Sequence, residues 1–216
     1  MKTIKTGIAG FDEFLVGGLP PIVILLQGQP GSGNEIFARQ IAYTRAKQTS
    51  VTYFTIDRTP EFVKDEMLTY GWDTNPLEKT GNWKFINLTA AAKITETVTN
   101  EIKQHRTTII DSLSELLIKH KTEEAINLLA TMASTNRQTE ECHFILLTEG
   151  MQDKQTETAM EHFAEGVIIL NTTWSAEATN RTIIIKKMAG TLVPTRRLPY
   201  NIGKKGFIIE TAIRIT

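Results

Sequence analysis

The chain has 216 residues, 41% hydrophobic and 22% charged, with 24 basic side chains balancing 24 acidic ones. Zero net charge gives no overall pull toward nucleic acid or an anionic membrane, and no apolar run reaches the roughly 18 residues that a bilayer span needs. A single cysteine, Cys142, excludes an internal disulfide, and the opening MKTIKTGIAGFDEF lacks a signal peptide's apolar stretch, so one cytoplasmic domain over 1–216 is expected.

The apolar run IVILL predicts a first strand over about 22–27, and GQPGSGNE (28–35) follows it. Ile36, Phe37, Ile41 and Ala42 then recur at helical spacing and predict a helix over about 33–47. A glycine-rich turn from strand to helix has the outline of a phosphate-binding P-loop, G-x-x-x-x-G-K-[ST]. Here Asn34 stands in the lysine position and Glu35 in the hydroxyl position. The same letters also spell a capping box, Ser32-x-x-Glu35, in which side chains would satisfy the helix's first N–H groups.

VTYFTI (51–56) is β-branched and aromatic and predicts a second strand. Thr59 as N-cap with Pro60 in the first turn predicts a helix that ends by Gly71. A loop over 71–83 leads to strand KFINL, a helix over about 91–104, and TTIID (107–111), a buried strand closing on Asp111. A helix over 122–137 and strand HFILLT (143–148) come next. After a polar stretch come GVIIL (166–170) and three antiparallel strands, RTIIIKKM (181–188), RRLPYNI (196–202) and GFIIE (206–210). This order predicts an α/β fold: a mainly parallel central sheet flanked by helices, with antiparallel C-terminal strands. Ligands of such sheets sit beyond the carboxyl ends of the strands, where both 28–35 and Asp111 fall.

Charge is unevenly placed. Residues 138–180 carry eight acidic groups against Lys154, and residues 181–216 carry eight basic groups against Glu210. Two solvated faces are the plain reading, a head-to-tail subunit contact the sharper one, and a basic nucleic-acid patch a third. His105, His120, His143 and His162 have no metal-ligand spacing with Cys142. Cys142 and His143 open a strand and read as packing or surface residues. Trp72, Trp83 and Trp174 fall in expected loops.

Five ordered landmarks resemble the RecA superfamily and, within it, the KaiC-like ATPases. They are TGIAGFDEFLVGGLP (6–20), TPEFVKDEMLTYGWD (59–73), TTIIDSLSEL (107–116), FAEGVIIL (163–170) and KKMAGT (186–191). The resemblance spans nearly the whole chain and implies a RecA-like fold with a nucleotide site at Gly28, Gly31, Ser32, Gly33, Asn34 and Glu35. It further implies Asp111 as a Walker B carboxylate able to hold Mg²⁺ if the metal is bound, and Lys187 reaching a neighbouring subunit's nucleotide.

The working parts implied by the resemblance are altered. A P-loop lysine neutralises phosphate charge and the next hydroxyl binds Mg²⁺, but Asn34 has no charge and Glu35 adds a negative one. Like charges about 4 Å apart repel by roughly 4 kcal/mol at an effective dielectric of about 20. Asp57 and Arg58 stand where the family carries paired glutamates, and Arg58 cannot act as a base. Read from the residues alone, they make a local ion pair at the strand end or, alternatively, a remodelled anion site. Ala189 replaces the arginine of a K-M-R-G-type motif. Asp111 has a plain alternative: it caps the next helix or bonds the loop backbone.

Because these parts act as a unit, the expectation is a pseudo-ATPase with no catalytic residue and no cofactor, regulatory or structural through assembly with itself or with an active KaiC-like protein. The alternatives are a divergent site for ATP or ADP with Mg²⁺, acting as an ATPase or a sensor, and a nucleic-acid-binding RecA relative.

Overall fold

The computed structural model describes residues 2–176 and 178–210. Glu177 and Arg214, counted in the two charge blocks, lie outside them. A short helix α1 (Phe11–Phe14) opens the chain, and β1 (Val23–Gly28) leads into α2 (Asn34–Ala46). Then follow β2 (Val51–Thr55), α3 (Pro60–Thr69), α4 (Asn75–Lys79), β3 (Trp83–Asn87), α5 (Ile94–Lys103), β4 (Thr107–Asp111), α6 (Leu113–Lys119) and α7 (Thr122–Asn136). The last elements are β5 (His143–Thr148), α8 (Lys154–Phe163), β6 (Gly166–Trp174), β7 (Thr179–Met188), β8 (Leu198–Gly203) and β9 (Gly206–Ile209).

All nine strands join one sheet in the order β3-β2-β4-β5-β1-β6-β7-β8-β9. The pairs from β3 through β6 are parallel, and those from β6 to β9 are antiparallel. The predicted α/β architecture is therefore present. Alternation of side chains along the strands divides the core. Tyr53 and Ile109 face the layer of α2 and α3, while Phe54 and Ile110 face the layer of α5, α6, α7 and α8.

Besides the one-turn α1, three helices fall outside the sequence expectations. α4 interrupts the expected 71–83 loop, α6 precedes the expected 122–137 helix, and α8 occupies the polar stretch after β5. α4 and α6 have five and seven residues, too few for apolar positions to repeat at a helical period, and α8 is polar along most of its ten residues. For α8 the signal lies in its start: Asp153 Oδ1 accepts the Thr156 N–H at 2.7 Å. Thr59 caps α3 as expected, its hydroxyl accepting the Phe62 N–H at 3.3 Å.

Two expected loop tryptophans are core residues. Trp83 lies in β3 with 2% exposure, and Trp72 is buried and stacked on Tyr70, ring centroids 4.9 Å apart. Trp174, at the end of β6, is exposed.

The terminal hairpin folds back over α2. Phe207 N–H donates to Gln40 Oε1 and Gln40 Nε2 donates to Phe207 O. The Tyr200 hydroxyl donates to Ser32 O at 2.6 Å. These bonds tie the C-terminal strands to the glycine loop between β1 and α2.

Candidate functional site

The carboxyl ends of β1, β2, β4 and β5 open on one cleft of about 270 Å³, lined by Gly31, Asn34, Glu35, Asp57, Arg58, Asp111, Ser112 and Glu115 among others. Sequence-separated candidates thus meet in one place. A larger groove of about 580 Å³, between α5 and α6–α7, is mainly apolar and lies elsewhere. The smaller cleft carries the charged groups and the glycine loop, so it is the better candidate for chemistry.

Gly31 and Gly33 hold φ of 82° and 80°, a left-handed conformation that favours glycine. A Cβ on Gly28 would collide with the Ser32 hydroxyl, and one on Gly33 with the Ile202 side chain. The expected capping box is not formed. Gly33 is the N-cap of α2 with no side-chain cap, and the buried Ser32 hydroxyl has no partner among the described residues. Gly33 sits in the left-handed region and shifts the helix start one residue past Ser32. Asn34 performs part of the expected job instead: it is buried, and its Oδ1 accepts the Glu35 N–H at 3.0 Å. One of the amides at the head of α2 is thereby satisfied by the chain itself.

Around this loop the cleft is acidic. Glu35, Asp57, Asp111 and Glu115 line it against the single guanidinium of Arg58. Glu115, in the first turn of α6, was not among the expected residues, because α6 itself was not visible in the sequence.

Arg58 does not pair with Asp57 as expected. Its Nη1 reaches Glu66 Oε2 at 3.0 Å, and its guanidinium lies over the Phe62 ring at 5.3 Å. Both partners sit on α3, which turns back beside the end of β2 and offers Arg58 a carboxylate and an aromatic face together.

Asp111 neither caps α6 nor bonds the loop backbone. Its Oδ2 accepts from Arg39 Nη2 at 3.1 Å and from the Tyr53 hydroxyl at 2.6 Å. Arg39 is only 3% exposed and also bonds Glu66 at 2.8 Å and the Tyr53 oxygen at 3.0 Å. Burial acts to lower the Arg39 pKa, but Tyr53, Asp111 and Glu66 outweigh it and raise it. Burial first, and then Asp111, push the Tyr53 phenol well above its usual range, so it stays a neutral donor. Arg39 was missed in the sequence, although the signal was present. A lone cation beside buried Phe37, Ala38, Ile41 and Ala42 needs a carboxylate close by.

A family model described as "ATPase: KaiC" matches residues 4–212. The chain belongs to the KaiC family of ATPases. Its sheet and glycine loop place it in the RecA-like P-loop superfamily that the sequence landmarks resemble. Among its relatives is the UPF0273 protein PH0284 of Pyrococcus horikoshii, 27% identical over 96% of this chain and 94% of that protein. The circadian clock protein KaiC3 of Synechocystis is 26% identical over 97% of this chain but 46% of its own length. In structure, the KaiC-like protein PH0186 of P. horikoshii superimposes with a TM-score of 0.81, at 22% identity, over 97% of this chain and 99% of that one.

One of the KaiC-like landmarks, KKMAGT (186–191), lies away from the cleft. The Lys187 ammonium donates to His162 O at 2.7 Å and Ala164 O at 2.6 Å, at the carboxyl end of α8. Ala189, just past β7, donates its N–H to Glu165 O at 3.0 Å. The charge blocks are partly spent within the chain as well. Lys186 pairs with Glu161 at 2.6 Å and Arg45 with Glu141 at 2.5 Å.

At the opposite end of the sheet Cys142 and His143 are fully buried, which makes them packing residues and not surface ones. Among the described residues no helix is long and apolar enough to cross a membrane.

Proposed function

We propose that this KaiC-family protein does not turn over ATP by the usual P-loop route and works through assembly with itself or with an active member of the family. One observation carries the reading: Asp111 is bonded to Arg39 and Tyr53, in a cleft with four carboxylates and no P-loop lysine. The transferred group's charge normally needs lysine, metal and finger together, and Asn34, Glu35 and Ala189 supply none of them. The charge blocks support assembly less strongly than their counts suggest, because Lys186, Glu161, Arg45 and Glu141 are paired internally. Arg181, Arg196, Arg197, Lys204 and Lys205 are further basic residues of the C-terminal block.

A phosphate-release assay with Mg-ATP, run beside light scattering, tests both halves. Release at the buffer rate together with a mass above the 24.2 kDa chain is expected. Turnover that Asp111→Asn abolishes would sink the first half, and a monomer at every concentration would sink self-assembly.

The left-handed Gly31 and Gly33 favour a second reading, an ATP or ADP sensor without turnover, because they keep the loop amides in a phosphate-binding shape. Micromolar binding of labelled Mg-ATP without phosphate release would select it.

A further inference from the structure

The family implies a magnesium nucleotide at this cleft, and the residues present do not fit the metal. The hydroxyl position of the loop holds Glu35, so the neutral oxygen that would share the metal with phosphate is replaced by a charged carboxylate. Asp111 Oδ2 already accepts two hydrogen bonds, one of them from a guanidinium. That guanidinium belongs to Arg39, which is buried, anchored on both Glu66 and Tyr53, and permanently charged. Although the cleft is rich in acids, no three His, Cys, Asp or Glu side chains among the described residues converge as a metal-holding group.

We propose that Arg39 is a built-in counter-cation that closes Asp111 to divalent metal. A fixed positive charge bonded to the carboxylate neutralises the attraction a metal would feel and repels the metal itself, and burial keeps that repulsion poorly screened. The network is over-determined in a way that favours a fixed role. Arg39 bonds two carboxylates and a phenol, and Arg58 reaches the same Glu66 oxygen from the cleft side. Arg58, 43% exposed along its side chain, is the one cation among the described residues that lines the cleft. The inference rests on the reading of the cleft as catalytically silent.

The test is titration of the full chain with Mn²⁺, following the free-ion signal by electron paramagnetic resonance, for the wild type, R39M, and R39M combined with D111N. The wild type should take up no Mn²⁺ at this site below about 1 mM, the weak end of carboxylate sites. R39M should gain one Mn²⁺ with at least about tenfold tighter binding, since the repelling charge is gone, and D111N should remove that gain. R39Q, which keeps a donor toward Asp111, replaces R39M if the latter does not fold. Wild-type Mn²⁺ uptake that D111N abolishes would overturn the proposal, as would a folded Arg39 variant that binds no better than wild type. Turnover of Mg-ATP would instead overturn the catalytically silent reading, so the two failures are distinguishable.

Discussion

Arg39 Nη2 lies 3.1 Å from Asp111 Oδ2, and this ion pair ties the helix after the glycine loop to a strand two places away in the sheet. It converts a position that the family resemblance marks for metal into a structural joint. The consequences are measurable in stability as well as in binding.

Arg39→Met should lower stability by about 3 kcal/mol, because it leaves the Asp111 and Glu66 carboxylates without their shared buried cation. For a chain of this size that is a fall of roughly 6–12 °C in melting temperature. Tyr53→Phe removes one donor from Asp111 and the acceptor of buried Arg39 Nε, and should cost about 2 kcal/mol. Thermal unfolding followed by circular dichroism separates the two. An Arg39→Met protein as stable as wild type would mean that the ion pair contributes nothing.

Restoring the loop letters should restore binding but not turnover. The double variant Asn34→Lys, Glu35→Thr brings back a phosphate counter-charge, removes a repelling carboxylate, and frees the amide now bonded to Asn34. Affinity for ATP should rise by at least about tenfold, the equivalent of about 1.4 kcal/mol. Phosphate release should stay at background while Arg39 holds Asp111 and Arg58 stands beside Asp57. Isothermal titration and a phosphate assay on the same sample measure both.

The legibility of this site was uneven for a physical reason. Gly28, Gly31, Gly33 and Asp111 were readable because a loop shape and a strand end are local properties, encoded within a few residues. The pairing of Arg58 with Glu66 was not, since the nearer Asp57 is its obvious partner until α3 turns back beside β2. The capping box was misread for a local reason, because a left-handed Gly33 moved the helix start past Ser32.

Acid should destabilise the protein earlier than its carboxylates alone would. Burial drives the His143 pKa down to about 3. Its Nδ1 accepts from Thr108 and its Nε2 donates to Asn136 Oδ1, an arrangement suited to the neutral ring. Between the ordinary value near 6.5 and about 3 the unfolded chain binds a proton that the folded chain refuses, so stability falls as pH falls. The whole window amounts to about 4–5 kcal/mol. Melting temperature should therefore decline between pH 7 and pH 5, and His143→Gln should flatten that part of the curve. An unchanged slope would point to another group.

Lys187→Met should destabilise the chain by about 1–2 kcal/mol even at concentrations where it is monomeric, because the ammonium serves carbonyls at the end of α8. Unchanged stability, with a loss of nucleotide affinity only in the assembled form, would instead favour the trans role implied by the resemblance.

By itself the sequence determined the chain order of the strands and of most of the helices, the loop at residues 28–35, and the presence of Asn34, Glu35 and Ala189 at the positions that the resemblance marks. Each of these depends on neighbours in the chain or on a pattern repeated along it. Only the tertiary structure decided what became of the acid at Asp111. Its partner Arg39 is 72 residues distant along the chain, and it arrives there because α2 packs across the face of the sheet on which Tyr53, Ile109 and Asp111 stand. A buried cation takes whichever carboxylate the packing brings within reach, and no local pattern records that choice.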